Sequence, residues 1–191
     1  LVVIASVILG LLDASWNAAS ALSTIAILGV TAWLLLGRWI TSLSPLANSA
    51  RGDSLTVFVS WLLAAVPLAA VFMVSVATPE AFTQRYDNNF HLNLLRYIED
   101  TGEASPLTAG RLQSPDAVFS FYPNAWHAFA HLIGELSGVS IPASAHVFNL
   151  IVMSVVWPLG ALLLTQQLLP KNRLALYSSG AIAGAMSAFP I

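Results

Sequence analysis

Two pairs of ionisable side chains stand four residues apart in a chain that has few of them. Asp87 and His91 form one pair; His127 and His131 form the other, with Glu135 one turn further on. An i, i+4 spacing puts both members on one face of a helix. A histidine near a carboxylate can orient it, bind a phosphate, or help to hold a divalent cation. Two histidines at this spacing can in principle ligate one metal. The second run reads His-Ala-Phe-Ala-His, without the glutamate of a zinc-protease helix, so His127 and His131 are only weak metal candidates.

The helices that must carry these groups are legible in the spacing. In RYDNNFHLNLLRYIED, residues 85–100, Phe90, Leu94, Tyr97 and Ile98 line one side of a helix, and Asn89, Asn93, Arg96 and Asp100 the other. Asp87 and His91 fall on the apolar side, which predicts that both point into protein. Asp87 is also placed to act as an N-cap, and His91 as a hydrogen-bonded core histidine. Arg96, Glu99, Asp100 and Glu103 read as a solvated face and helix end, with Thr101-Gly102 as the stop. A second helix starts near FYPNAWHAFAHLIGELSG, with Pro123 at an early helical position. Trp126, Phe129, Ile133 and Leu136 make its apolar stripe, and Asn124, His127, His131 and Glu135 its polar one. Three outcomes stay open for the polar stripe: it meets water from an interfacial helix, it binds a metal, or His127 meets Asp87 and His91 across the two helices.

The rest of the chain is of another kind. Of its 191 residues 57% are hydrophobic and 8% charged, against about 25% charged in a soluble domain. This is the composition of an all-α integral membrane protein, a polytopic helix bundle. Against the ~20 residues of a spanning helix, residues 1–12 look like the tail of a truncated span. Residues 18–36, 55–78 and 142–169 read as full spans, bent at Pro67 and Pro158, and 174–191 starts another. The layout is 1–78 transmembrane, 79–139 a long loop with the two amphipathic helices, and 140–191 transmembrane, in what reads as a fragment of a longer protein. Trp16, after Asp13-Ala-Ser, suits a membrane interface. His146 and Asn149 suit a polar network near a span end, and 41–54 reads as a loop. Arg38, Arg51, Lys171 and Arg173 lie in short loops, whereas 79–139 holds three arginines and seven acidic residues. The positive-inside rule then puts 79–139 on the outer face. The chain has no cysteine, so no disulfide or thiolate chemistry. Its net charge of −2 gives no footprint for nucleic acid, and no phosphate loop, G-x-S-x-G or dinucleotide fingerprint is present.

A span, an outward loop with an aspartate near its start, two surface helices and another span resemble the beginning of a GT-C glycosyltransferase. The run Tyr86-Asp87, Phe90-His91-Leu92-Asn93, Arg96-Tyr97-Ile98 and Asp100-Thr101-Gly102, then Phe121-Tyr122-Pro123 and Trp126-His127, resembles a family of actinobacterial polytopic membrane proteins. That resemblance extends over most of 1–191, including Trp157-Pro158-Leu159-Gly160 and Ala188-Phe189-Pro190. It implies an enzyme at the bacterial plasma membrane that takes sugar from a polyprenyl-phosphate carrier for cell-envelope glycan synthesis. Asp87 would be the base, more basic on a partly apolar face than in water. His91 or His127 would steady the leaving phosphate, by charge or through a divalent cation. Tyr86, Asn88, Arg96, Tyr122 and Trp126 would bind substrate. The expected partners are membrane lipids and the lipid-linked sugar. Asp87 is followed by Asn88 and Asn89, where several GT-C enzymes have paired acidic residues. A transporter of lipid-linked glycans and a non-catalytic membrane subunit are the competing readings.

Overall fold

The computed structural model describes residues 1–42, 54–82, 86–170 and 172–186, with the side chains of 38–42 and 86 left aside. Most of the expected 41–54 loop, with Arg51, lies outside the described residues, as do Arg85, Lys171 and the closing 187–191. Every regular element among the described residues is helical. The order is α1 (Val2–Leu11), α2 (Ala18–Ser42), α3 (Ser54–Val76), α4 (Tyr86–Thr101), a 3-10 turn (Ala109–Leu112), α5 (Ala125–Ser137), α6 (Ile141–Ile151), a π turn (Val152–Val156), α7 (Trp157–Leu168) and α8 (Arg173–Ala185). Ala18–Gly37, Ser54–Val76 and Ile141–Leu168 are long and apolar enough to cross a membrane, with mean hydropathies of 2.0, 2.4 and 2.2. They coincide with the segments expected at 18–36, 55–78 and 142–169.

The chain divides into two compact units, Leu1–Gly37 with Thr78–Phe148, and Arg38–Ala77 with Asn149–Ile191. The first has a core of Val2, Ala5, Leu9, Trp16, Ala21, Ile98, Ala104, Ala128 and Leu132. Trp16, expected at a membrane interface, is instead 2% exposed in that core. The turn after α1 folds it inward, and its backbone N–H donates to Gly102 O at 2.6 Å. Gly102 ends α4 as expected. It has φ +68°, and its N–H returns to Ile98 O at 2.8 Å. Asn17 and Ser20 start α2 by exchanging hydrogen bonds: Ser20 N donates to Asn17 Oδ1 (3.0 Å) and Asn17 N to Ser20 Oγ (3.1 Å).

The segment between α4 and α5 is braced, as a long insertion must be. Ser120 N donates to Leu107 O, Gly110 N to Ser120 O and Tyr122 N to Pro106 O, all at 2.8–2.9 Å. Arg111 donates to the carbonyls of Ala117 and Val118 and lies 3.7 Å from Glu103. Glu103, read as part of a solvated helix end, also accepts from Tyr97 Oη at 2.7 Å. Pro123, expected inside the second helix, precedes the Asn124 cap of α5, where its fixed φ directs the chain into the first turn.

In the second unit two prolines free backbone carbonyls that other groups cover. Pro158 has no N–H for Ser154 O four residues back, and the indole N–H of Trp61 donates to that oxygen at 3.0 Å. The expected break at Pro158 takes the form of the π turn at Val152–Val156. Pro67 likewise frees Leu63 O, against which α8 packs through Gly184, while Gly180 meets Ser60 one turn away. A Cβ at Gly184 would stand 2.6 Å from Leu63 O, and one at Gly180 would collide with Ser60 O. This is small-residue packing of the kind that lets apolar helices approach closely. Gly180→Val should therefore destabilise the protein by about 1–3 kcal/mol through overpacking, read as a lower melting temperature in detergent. Gly160→Ala, whose Cβ meets nothing within 4 Å, should leave the melting temperature unchanged or raise it.

Candidate functional site

The site forms where α4 and α5 meet in the first unit. On α4, Leu94, Leu95 and Ile98 are buried at 0–1% exposure, so the apolar side packs as its period predicts. His91 lies at the edge of that side with its side chain 31% exposed, while the Asp87 side chain is 90% exposed. The inward carboxylate expected from the spacing is thus an outward one. Asp87 sits in the first turn of α4, one residue inside the helix and not at its N-cap. There, among the described residues, no partner helix covers the face that Leu94 and Ile98 bury further along.

Of the three outcomes left open for the polar stripe of α5, the structure shows contact across the two helices, with His127 meeting His91. Asn124 and His127, on its polar stripe, are 1% exposed, and Ala128 and Ala130 are fully buried. Phe129 and Leu136, on its apolar stripe, are 41% and 62% exposed. Asn124 and His127 therefore do not meet water, whereas Glu135 at the far end of the stripe is exposed, and each of these three bonds a different segment. Asn124 Nδ2 donates to Ala104 O at 2.7 Å. His127 Nε2 lies 2.9 Å from His91 Nδ1 on α4. Glu135 Oε2 accepts from Ala18 N at 2.8 Å, placing a negative charge at the start of α2. Alanines between these residues allow the close approach.

His127 thus meets His91, and His91 Nε2 faces Asp87 Oδ1 at 3.7 Å. A carboxylate on that side favours a proton on His91 Nε2, which leaves Nδ1 to accept from His127 Nε2–H. Burial, reinforced by the adjacent His91, pushes the His127 pKa down to about 3, so this ring is neutral. Aromatic rings enclose the pair. Trp126 lies 5.7 Å from His91, and Tyr122 meets Phe90 edge-on at 4.8 Å and His127 at 5.8 Å. Burial raises the Tyr122 pKa, and the charge of Asp87 adds to this.

Of the expected substrate-binding residues, Tyr122 and Trp126 line this site. Asn88 lies beside Asp87 in the first turn, half-exposed, and the side chain of Tyr86 lies outside the described residues. Arg96 is elsewhere: nine residues past Asp87, it projects from the opposite side of α4 and pairs with Asp100 (2.8 Å) and Glu99 (3.4 Å). His131 lies one turn beyond His127, whose Nε2 meets His91 while its Nδ1 has no hydrogen-bond partner among the described residues. Among the described residues no group of three or more His, Asp or Glu is arranged to hold a metal ion. Phe90, placed on the apolar face from its spacing, proves to be a wall of the site. His146, expected in a polar network at a span end, donates its Nδ1–H to Pro79 O at 2.9 Å.

A family model described as a family of unknown function (DUF6541) matches residues 1–191. No curated protein and no solved structure matches the chain.

The depressed His127 pKa makes stability pH-dependent. Between the unfolded value near 6.5 and the folded value of about 3, the unfolded chain carries the extra proton. Stability is therefore complete above pH 6.5 and falls as the pH drops toward 3, by an amount on the order of a few kcal/mol. His127→Gln keeps a donor toward His91 without titrating. Its melting temperature should fall less between pH 7 and pH 5 than that of the wild type.

Proposed function

The chain belongs to the family of unknown function DUF6541, and from its own site we propose a GT-C-like glycosyltransferase of the bacterial plasma membrane. In this reading Ala18–Gly37, Ser54–Val76 and Ile141–Leu168 cross the membrane, and residues 79–139 lie on its outer face. The Lys and Arg distribution supports that orientation. The exposed Phe129 and Leu136 of α5 then face lipid, which is the solvent that makes burial of Asn124 and His127 on the other side favourable.

One observation carries the reading. An exposed carboxylate, Asp87, stands 3.7 Å from a histidine whose other nitrogen is held at 2.9 Å by a buried neutral histidine. Phe90, Tyr122 and Trp126 surround this pair. Aromatic faces suit the C–H faces of a sugar ring, and the exposed apolar surface suits a polyprenyl tail. The sugar donor is a polyprenyl-phosphate-linked sugar, and the acceptor is a hydroxyl of an envelope glycan. The acceptor oxygen attacks the anomeric carbon, and the bond from that carbon to the phosphate oxygen breaks with its electron pair going to the phosphate. The hydroxyl proton passes to Asp87. His91 presents Nε2–H to the carboxylate or to the departing phosphate. His127, too deeply buried to reach substrate, is a positioning residue that fixes the His91 ring.

The test replaces Asp87 by Asn in the full-length protein, in a strain lacking the wild-type copy, at matched protein level. An envelope glycan should shorten while its polyprenyl-phosphate sugar donor accumulates, both read by mass spectrometry. An unchanged profile in this variant, where deletion of the gene alters it, would remove Asp87 from the chemistry and favour a non-catalytic subunit or transporter.

A further inference from the structure

Further along the α4–α5 seam lies a cavity that the Asp87 site does not use. It has a volume of ≈ 570 Å³, within the range of roughly 300–1,000 Å³ typical of small-molecule sites. Its polar lining includes Trp16, Asn17, Glu99, Asp100, His131 and Glu135, together with three hydroxyl side chains. Among the described residues no lysine or arginine lines it, and Arg96 holds Glu99 and Asp100 from the exposed side of α4.

Two lining residues have unmet hydrogen-bonding capacity. Trp16 is 2% exposed, and its indole N–H has no acceptor among the described residues. His131 Nδ1 is also buried without a hydrogen bond, 3.9 Å from Glu135 Oε2. Burial lowers the His131 pKa, with Glu135 and Glu99 opposing, so the ring is available in its neutral form. A buried polar group without a partner costs about 1–3 kcal/mol, so such groups call for a physical reason.

The lining chemistry selects the occupant. Three carboxylates with no cation on the wall disfavour an anion such as a phosphate. A bare metal ion or an ammonium group offers no lone pair to the Trp16 N–H. A hydroxyl both accepts from Trp16 and donates to a carboxylate or to a neutral imidazole. Leu95, Val139 and Ile141 supply apolar wall for C–H faces. We propose that this cavity binds a neutral polyol of the size of one or two sugar rings, with Trp16, His131 and Glu135 as its hydrogen-bonding groups. The site stands whether or not Asp87 acts in glycosyl transfer.

The test is NMR of the full chain carrying ¹⁵N-tryptophan, in micelles of a detergent without a sugar headgroup. Each of the six tryptophans gives one indole N–H signal, assigned by single Trp→Phe substitutions. Maltose is the probe, with glucosamine and glucose 6-phosphate as cationic and anionic controls. The Trp16 signal should move saturably with maltose, at a dissociation constant in the ~1 mM range, and glucose 6-phosphate should not move it. Val139→Phe fills an exposed lining position and should weaken the effect about tenfold or more, equivalent to ~1.4 kcal/mol, with signal dispersion retained. A Trp16 signal unmoved by maltose would overturn the proposal. So would a response to the charged probes alone, or a maltose titration unchanged in Val139→Phe.

Discussion

The hydrogen bond between His91 and His127 is the contact on which the first unit turns. Burying an imidazole without a partner is costly, and this bond removes much of that cost at the centre of the α5 polar stripe. Asn124 and Glu135, one turn before and two turns after, complete the pattern by bonding the Ala104 carbonyl and the Ala18 amide. One helix face therefore fixes three separate segments: the braced connection after α4, α4 itself, and the start of α2. His127 and His131 each keep one buried ring nitrogen, Nδ1, without a hydrogen bond among the described residues, and at His131 the stripe opens into the cavity. The same bond that organises the unit also locks the ring presented to Asp87. Structural and proposed chemical roles therefore share one pair of residues.

Much of this architecture was legible in the residues. Hydropathy located the three apolar spans to within one or two residues, although the α2 helix itself runs on to Ser42. Gly102 marked the end of α4 because that turn needs positive φ, and Pro158 marked the irregularity that became a π turn. The contact of His127 with His91 was one of three outcomes that the i, i+4 pattern left open. The sense of α5 was not legible, because a period of 3.6 separates two stripes without saying which one is inside. In water Phe129 and Leu136 would turn inward. Here they are exposed, and the alanines between the histidines mark the packed face.

Asp87 and Trp16 show the other limit of spacing. Asp87 shares a helical face with Leu94 and Ile98, yet a first turn can project beyond the neighbours that bury the later turns. Trp16 looks like an interfacial residue beside Asp13 and Asn17, but the Gly102 carbonyl holds its backbone and the α1 core takes its ring. The first comes from neighbours that stop short of the first turn, the second from a backbone contact with Gly102 far along the sequence. Glu103 is a nearer case: its partners Tyr97 and Arg111 lie within eight residues, but the connection has to fold back before they meet.

The inward polar stripe of α5 is the central claim, and spin labels on single cysteines test it directly, since the chain has no cysteine of its own. Labels at Phe129, Leu136, Ala128 and Ala130, in protein reconstituted into lipid bilayers, would be probed for collision with oxygen and with a water-soluble nickel chelate. The account predicts high oxygen access and low nickel access at 129 and 136, with neither reagent reaching 128 or 130. Nickel access at 128 and 130, with 129 and 136 shielded from both reagents, would mean that the polar stripe faces water and would contradict the buried histidine pair.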